Sequence, residues 1–327
     1  MASFRMHGKR WQARIRRHGH PDEVRSFLTR QDAERWARSV EVEMDRGSFV
    51  SLTNAQTTTV VELIERYLKE VTPSMKGAKD DSIRLKAMKR NALFRVSAAA
   101  LTPERLSKYR DQRLTVVTPG TLIRELAYIS SIINHARREW GINIQNPVAL
   151  VRKPASPKGR ERILSPEEHA RLMEALKPAD RRSTWMLPIV TVALATGMRR
   201  SELLMLQWEN VDLNQRTAVL ETTKNGDRRL VPLSSSAIAT LAALPRSIDG
   251  QVFPMTPCAV SAAFEKACKR ASISDFRFHD LRHTAITLMA EKLPNVIELA
   301  AVTGHKSLKM LQRYYHPSAQ DLARKLG

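Results

Sequence analysis

Residues 186–198 form the longest nearly apolar stretch of the chain, interrupted by Pro188, Thr191, Thr196 and Gly197. Crossing a bilayer takes roughly 20 apolar residues, so this segment reads as a helix buried in a protein core. A helix with no polar face needs neighbours on every side, which demands a domain of many elements around it. The flanking sequence supplies them. Ser165-Pro166-Glu167-Glu168 combines an N-cap, a first-turn proline and the acidic member of a capping box. Residues 217–221 and 228–233 read as strands joined across the tight-turn pair Asn225-Gly226.

Upstream the punctuation is also mostly helical. Val60-Val61, Leu63-Ile64 and Tyr67-Leu68 recur at helical spacing until Thr72-Pro73 breaks the pattern. A densely basic helix is expected over 83–94, a third opening at Thr102-Pro103, and a fourth over 121–140 ending at Gly141. Before these, the alternation Trp11-Gln12-Ala13-Arg14-Ile15-Arg16 predicts a strand, with a second over 24–28. Thr29 caps a helix from Arg30 to about Gly47. Residues 146–162 hold Pro147, Pro154, Pro157, Gly159 and five basic residues, the mark of a linker. The expected fold is therefore mainly α and multidomain. A small β+α module spans 1–56, a four-helix domain 57–150, a basic linker 151–162, and a mostly helical domain with a small antiparallel hairpin 163–327.

Charge narrows the partner. Lys and Arg total 54 against 33 Asp and Glu, a net +21, far above what solubility requires. Cations that neutralise phosphates release condensed counterions, so a polyanion such as DNA or RNA is the favoured ligand, ahead of an anionic membrane. The first 20 residues hold six Arg or Lys and no acid. Lys86, Lys89 and Arg90 on the second helix, with Arg152 and Lys153 in the linker, are candidate DNA contacts. Without an apolar leader, and with two cysteines that form no C-x-x-C pair, the chain reads as cytoplasmic with small buried thiols.

Five short signals follow in order in the last domain. Arg199 and Glu202 flank a helix start after Gly197, where glycine permits a sharp reorientation. Lys224 lies at the hairpin tip. His279 and Arg282 are spaced to share one helix face, with His283 beside them. His305 follows Gly304, a helix terminator. Arg313-Tyr314-Tyr315-His316 lies on a short helix that Ser307 can cap. Zinc held by His279, His283 and His305 is a competing reading, weakened by Asp280 where the zincin motif has glutamate and by the adjacent Arg282. Two arginines, a lysine, two histidines and a tyrosine suit metal-free phosphodiester cleavage. Guanidiniums match the charge building on the phosphoryl oxygens, a proton donor neutralises the leaving oxygen, and tyrosine attacks, with nearby cations favouring its phenolate.

At these residues the chain resembles the tyrosine site-specific recombinases, the phage integrase family, over at least residues 57–327. Around 148–154, 223–226 and 278–283 it is similar to shufflon-type DNA invertases. The resemblance implies a SAM-like helical core-binding domain and an N-terminal module like the arm-type DNA-binding modules of some members. It makes Arg199 the first catalytic arginine, Lys224 the general acid, and His279 with Arg282 the H-x-x-R pair. His305 becomes the second histidine, Glu202 the acidic support, and Tyr314, nine residues after His305, the nucleophile in preference to Tyr315. It implies a 3′-phosphotyrosyl intermediate formed without metal, ATP or other cofactor. A homotetramer would assemble at synapsis, in some cases with an accessory DNA-bending protein, and a terminal helix over 318–326 would pack on a neighbouring protomer. A non-catalytic DNA-binding regulator on the same fold and a type IB topoisomerase are the alternatives.

Overall fold

The structure, a computed structural model, describes residues 2–47, 49, 53–157, 159–179, 182–221, 228–315 and 319–327. Contacts concentrate within two units, residues 1–158 and 159–327.

The first unit opens with an antiparallel sheet in the order β1 (Ala2–His7), β2 (Arg10–Ile15), β3 (Glu23–Phe27). Ala13 and Ile15 are buried, and α1 (Arg30–Asp45) covers them with Ala33, Ala37, Val40 and Met44, one stripe at helical spacing. Thr29 caps α1 by accepting from Asp32 N–H at 3.2 Å. β1 is a strand the sequence pattern did not announce. Ala2, Phe4 and Met6 alternate with Ser3, Arg5 and His7, but only Ala2 and Phe4 are half-buried and the other side chains face solvent.

Helices follow: α2 (Thr53–Thr57), α3 (Val60–Glu70), α4 (Ala78–Lys89), α5 (Pro103–Leu114) and α6 (Pro119–Glu139). Thr59 and Glu62 form a full capping box on α3, with reciprocal bonds of 3.2 and 2.6 Å. Leu63, Ile64, Leu85, Phe94, Leu106, Tyr109, Leu126 and Ile129 fill a common core. The basic helix expected over 83–94 instead starts at Ala78 and ends at Lys89. Asn91 accepts from Leu93 N–H at 3.0 Å, and this local bond opens a separate 3-10 turn, Ala92–Phe94.

In the second unit come α7 (Pro166–Ala175), α8 (Met186–Thr196), α9 (Arg200–Leu204), strands β4 (Val211–Asp212), β5 (Thr217–Leu220) and β6 (Arg229–Pro232), then α10 (Ser235–Ala242), α11 (Pro257–Arg270), α12 (Asp280–Lys292), α13 (Val296–Thr303), α14 (Leu308–Leu311) and α15 (Ala319–Leu326). The apolar helix α8 buries Met186, Ile189, Val190, Val192 and Ala193 and packs against α10, α11 and α12. β4 extends the expected hairpin into a three-stranded antiparallel sheet; two residues are too few to betray a strand in sequence. Lys224 and the Asn225-Gly226 turn lie outside the described residues. Cys268 is buried, whereas Cys258 is exposed, contrary to the expectation of two buried thiols.

Among the described residues no helix is long and apolar enough to cross a membrane.

Candidate active site

Two helices of the second unit end in the same way, and their ends frame the site. α8 closes at Gly197 (φ +63°) and α13 at Gly304 (φ +70°), left-handed conformations that a side chain strains. At Gly304 a Cβ would also come within 2.7 Å of Arg229 Cδ. These terminations leave carbonyls directed at one guanidinium. Arg282 Nη1 donates to Gly197 O at 2.5 Å and Nη2 to Thr303 O at 2.7 Å. Burial, with Arg199 nearby, pulls the Arg282 pKa down to about 10, so it remains a cation at neutral pH.

Arg199 stands at the N-cap of α9. Its N–H and Nη1 donate to the two oxygens of Glu202 at 2.9 and 2.5 Å. Arg229 Nη2 donates to Glu202 Oε2 at 2.9 Å and Nη1 to Val302 O at 3.0 Å. Burial opposes ionisation of Glu202, but the Arg199 N–H and the Arg229 and Arg199 charges outweigh it and hold the carboxyl below its ordinary range. Two guanidiniums thus share one carboxylate, and the third, Arg282, is held on backbone carbonyls close enough to feel both, an excess of positive charge suited to an anionic phosphate.

His305 follows Gly304. The Thr303 hydroxyl lies 2.6 Å from Leu299 O and 2.7 Å from His305 Nδ1, and its proton can go to either; when it goes to Nδ1, the ring proton sits on Nε2 and can be donated. Burial, then Arg282 and Arg199, push the His305 pKa down to about 4, leaving a neutral ring. Tyr314 ends a 3-10 turn, Gln312–Tyr314, after α14; Ser307 takes the N-cap position of α14 with no side-chain cap bond. The Tyr314 ring lies 6.5 Å from the His305 ring, and its hydroxyl lies 2.5 Å from His283 Nδ1. The cations Arg313 and Arg282 favour the phenolate as expected, yet burial outweighs them and the pKa is raised. Tyr314 is therefore a neutral phenol here. Tyr315 directs its N–H to Gln312 O and joins none of these contacts.

His279 occupies the N-cap of α12, exposed, and lines an open cavity with Arg199, Ser201, Ser261, Phe276 and Arg277. Among the described residues no three His, Cys, Asp or Glu side chains converge as a metal site, so His279, His283 and His305 do not gather as the zinc reading needs. In the first unit Lys86, Arg90, Arg152 and Lys153 are exposed, while Lys89 pairs with Glu65 at 2.9 Å. At the start of the second unit Arg160 is bound to the buried Asp280 at 2.9 Å and Arg162 to Glu168 at 2.8 Å, so these linker cations already have carboxylates.

Sequence reasoning missed Arg229 and the contact of His283 with Tyr314. A signal for Arg229 existed: it shares a strand face with the buried Val231, and an inward arginine needs anionic partners.

Comparison with known proteins gives the family. Residues 162–321 match the phage integrase family and residues 57–154 the phage integrase N-terminal domain. A shufflon-specific DNA recombinase of Escherichia coli is 39% identical over 272 residues, covering 80% of this chain and 70% of that protein. A putative integrase/recombinase of Haemophilus influenzae is 32% identical over 335 aligned positions, covering 99% and 88%. Among solved structures, a lambda integrase dimer bound to a COC' core site superposes with a TM-score of 0.67 at 20% identity, covering 98% of this chain and 95% of that one. The Tn1549 transposon integrase in complex with circular intermediate DNA superposes at 0.65 with 16% identity, covering 83% and 100%. The chain belongs to the phage integrase family of tyrosine recombinases and is a site-specific enzyme that cleaves and rejoins DNA.

Proposed function

We propose that Tyr314 is the nucleophile of this recombinase and that Arg199, Arg282 and His305 hold the scissile phosphate. The observation that carries the reading is the placement of the Tyr314 and His305 rings beside Arg282 and near Arg199 and Arg229, the two guanidiniums that share Glu202. Attack by the phenolic oxygen leaves a 3′-phosphotyrosyl bond and a free 5′-hydroxyl, so the bond energy is kept for rejoining. The guanidiniums act where charge develops on the phosphoryl oxygens, and being fixed beforehand by Glu202 and backbone carbonyls they need little reorganisation. Glu202 supports Arg199, Lys224 protonates the leaving oxygen, and His279 acts from the cavity wall beside Arg199.

The helices of 57–150 and the 1–56 module grip duplex DNA, with Lys86, Arg90, Arg152 and Lys153 on phosphates. Lys89 contributes less, because Glu65 already holds it. Strand exchange takes place in a tetramer, as the lambda integrase tetramer bound to a Holliday junction suggests. The similarity to a shufflon-specific recombinase favours DNA inversion as the outcome. An accessory bending protein assists synapsis, and the enzyme works in the cytoplasm on the nucleoid.

A nicked suicide duplex tests the chemistry. The wild-type protein is expected to trap a denaturant-resistant adduct that Tyr314→Phe does not form while still binding the duplex. Persistence of that adduct in the variant overturns the assignment, and its absence from every protein on every substrate geometry favours a non-catalytic DNA-binding regulator.

A further inference from the structure

His283 follows Arg282 on α12, and no role above employs it. Its Nδ1 lies 2.5 Å from the Tyr314 hydroxyl, and the two rings stack with centroids 5.8 Å apart and 28° between their planes. Burial, then the neighbouring His279, holds the His283 imidazole below its ordinary range, with Arg313 and Arg282 adding to the effect and Asp280 opposing it. A neutral imidazole therefore faces a neutral phenol. In the tautomer with the ring proton on Nε2 the phenol donates and Nδ1 accepts. His305 directs its own Nδ1 to Thr303, and the His279 ring sits 5.5 Å from that of His283.

We propose that His283, rather than His279, is the catalytic base that takes the Tyr314 proton as the strand is cut. The proposal rests on the reading of Tyr314 as nucleophile. In the step the Tyr314 O–H bond breaks and its proton passes to His283 Nδ1. The phenolic oxygen bonds to phosphorus, the bond from phosphorus to the 5′ oxygen breaks, and that oxygen leaves with a proton from a separate acid, the role given to Lys224. Rejoining runs in reverse: the 5′-hydroxyl attacks, and the departing tyrosine recovers its proton from the imidazolium. No oxidant, reductant or co-reactant is consumed. The titratable and charged groups facing His283 are His279, Asp280 and Arg282 on its own helix, and Arg313 and Tyr314 on the turn packed against it.

The test follows adduct formation by the full-length protein between pH 5 and 9, on a nicked duplex carrying the DNA that flanks its coding sequence. Wild type is compared with His283→Gln and His283→Ala, and peptide mapping first locates the wild-type adduct. The wild-type rate is expected to fall on the acid side of the ordinary imidazole range, as His283 gains a proton. His283→Gln should bind the duplex yet form the adduct about 10²-fold more slowly, with a rate that climbs with hydroxide across the range. Added imidazole should partly restore His283→Ala, a response that loss of packing alone does not produce. An unchanged pH profile in His283→Gln, or faster adduct formation because the contact had restrained the tyrosine, overturns the proposal. An adduct mapped to another residue overturns the Tyr314 reading itself, and the mapping separates that failure from this one.

Discussion

Two carboxylates, one in each unit, are buried to nearly the same degree, Glu125 at 7% exposure and Glu202 at 4%, and arginine holds both. Around Glu125 the charges balance. Arg113 donates from Nε and Nη2 at 2.9 and 2.6 Å, and the Tyr109 hydroxyl donates at 2.7 Å. Around Glu202 they do not: Arg199 and Arg229 share it, and Arg282 lies near enough to influence its neighbours. The buried tyrosines repeat the contrast. Burial and the Glu125 carboxylate raise Tyr109 far above the ordinary phenol range, and Arg113, whose charge that carboxylate matches, opposes the shift only weakly. Tyr314 is also raised by burial, but Arg313 and Arg282 pull against that shift and an imidazole nitrogen waits at its oxygen. The same residue types make a structural brace where charge is matched and a reactive site where cations are left in excess.

The most damaging way to probe this contrast is Arg282→Ala. It removes the central cation and leaves the Gly197 and Thr303 carbonyls buried without a donor. A loss of about 10³-fold in adduct formation is expected together with about 3 kcal/mol of stability, read by denaturant melts. Less severe is a matched pair of isosteric changes. Glu202→Gln should slow cleavage about 10²-fold, because Arg199 loses its anchor and a small misplacement of a catalytic group is costly. Glu125→Gln should cost about 2 kcal/mol of stability and leave the cleavage rate of the folded protein unchanged. Equal kinetic effects of the two would break the comparison.

The smallest effect concerns pH and stability. The pKa of His305 in the folded protein, about 4, lies below the 6.5 of a free imidazole. The unfolded chain therefore binds the proton first as pH falls. The stability associated with a neutral His305 is full above about pH 6.5 and is lost as pH drops toward 4. Melting temperatures of wild type and His305→Asn should converge over that window, and parallel curves would contradict the burial of this ring.

Local chemistry made much of the molecule legible. Thr29, Thr102 and Ser165 start helices because a side-chain oxygen followed by a helix former can satisfy exposed N–H groups without tertiary help. The apolar run of α8 had to be central, and Arg199, His279, Arg282, His305 and Tyr314 could be read because each stands at or beside a helix end or turn with its own sequence mark. β1 escaped although Ala2, Phe4 and Met6 alternate with polar neighbours, because the run is short and mostly exposed. The real end of α4 at Lys89 escaped because the Asn91 bond that follows competes only weakly against helical spacing.

Sequence by itself determined which residue types stand at which helix termini, and hence the fold class and the kind of chemistry, since caps, periodicity and glycine terminations are short-range effects. Tertiary structure alone decided the partners. Arg229 reaches Glu202 across 27 positions, and His283 rather than His279 meets Tyr314 across 31. Helical spacing says which side chains share a face, but what lies opposite that face depends on how distant segments pack, and packing is settled by the burial of the whole core.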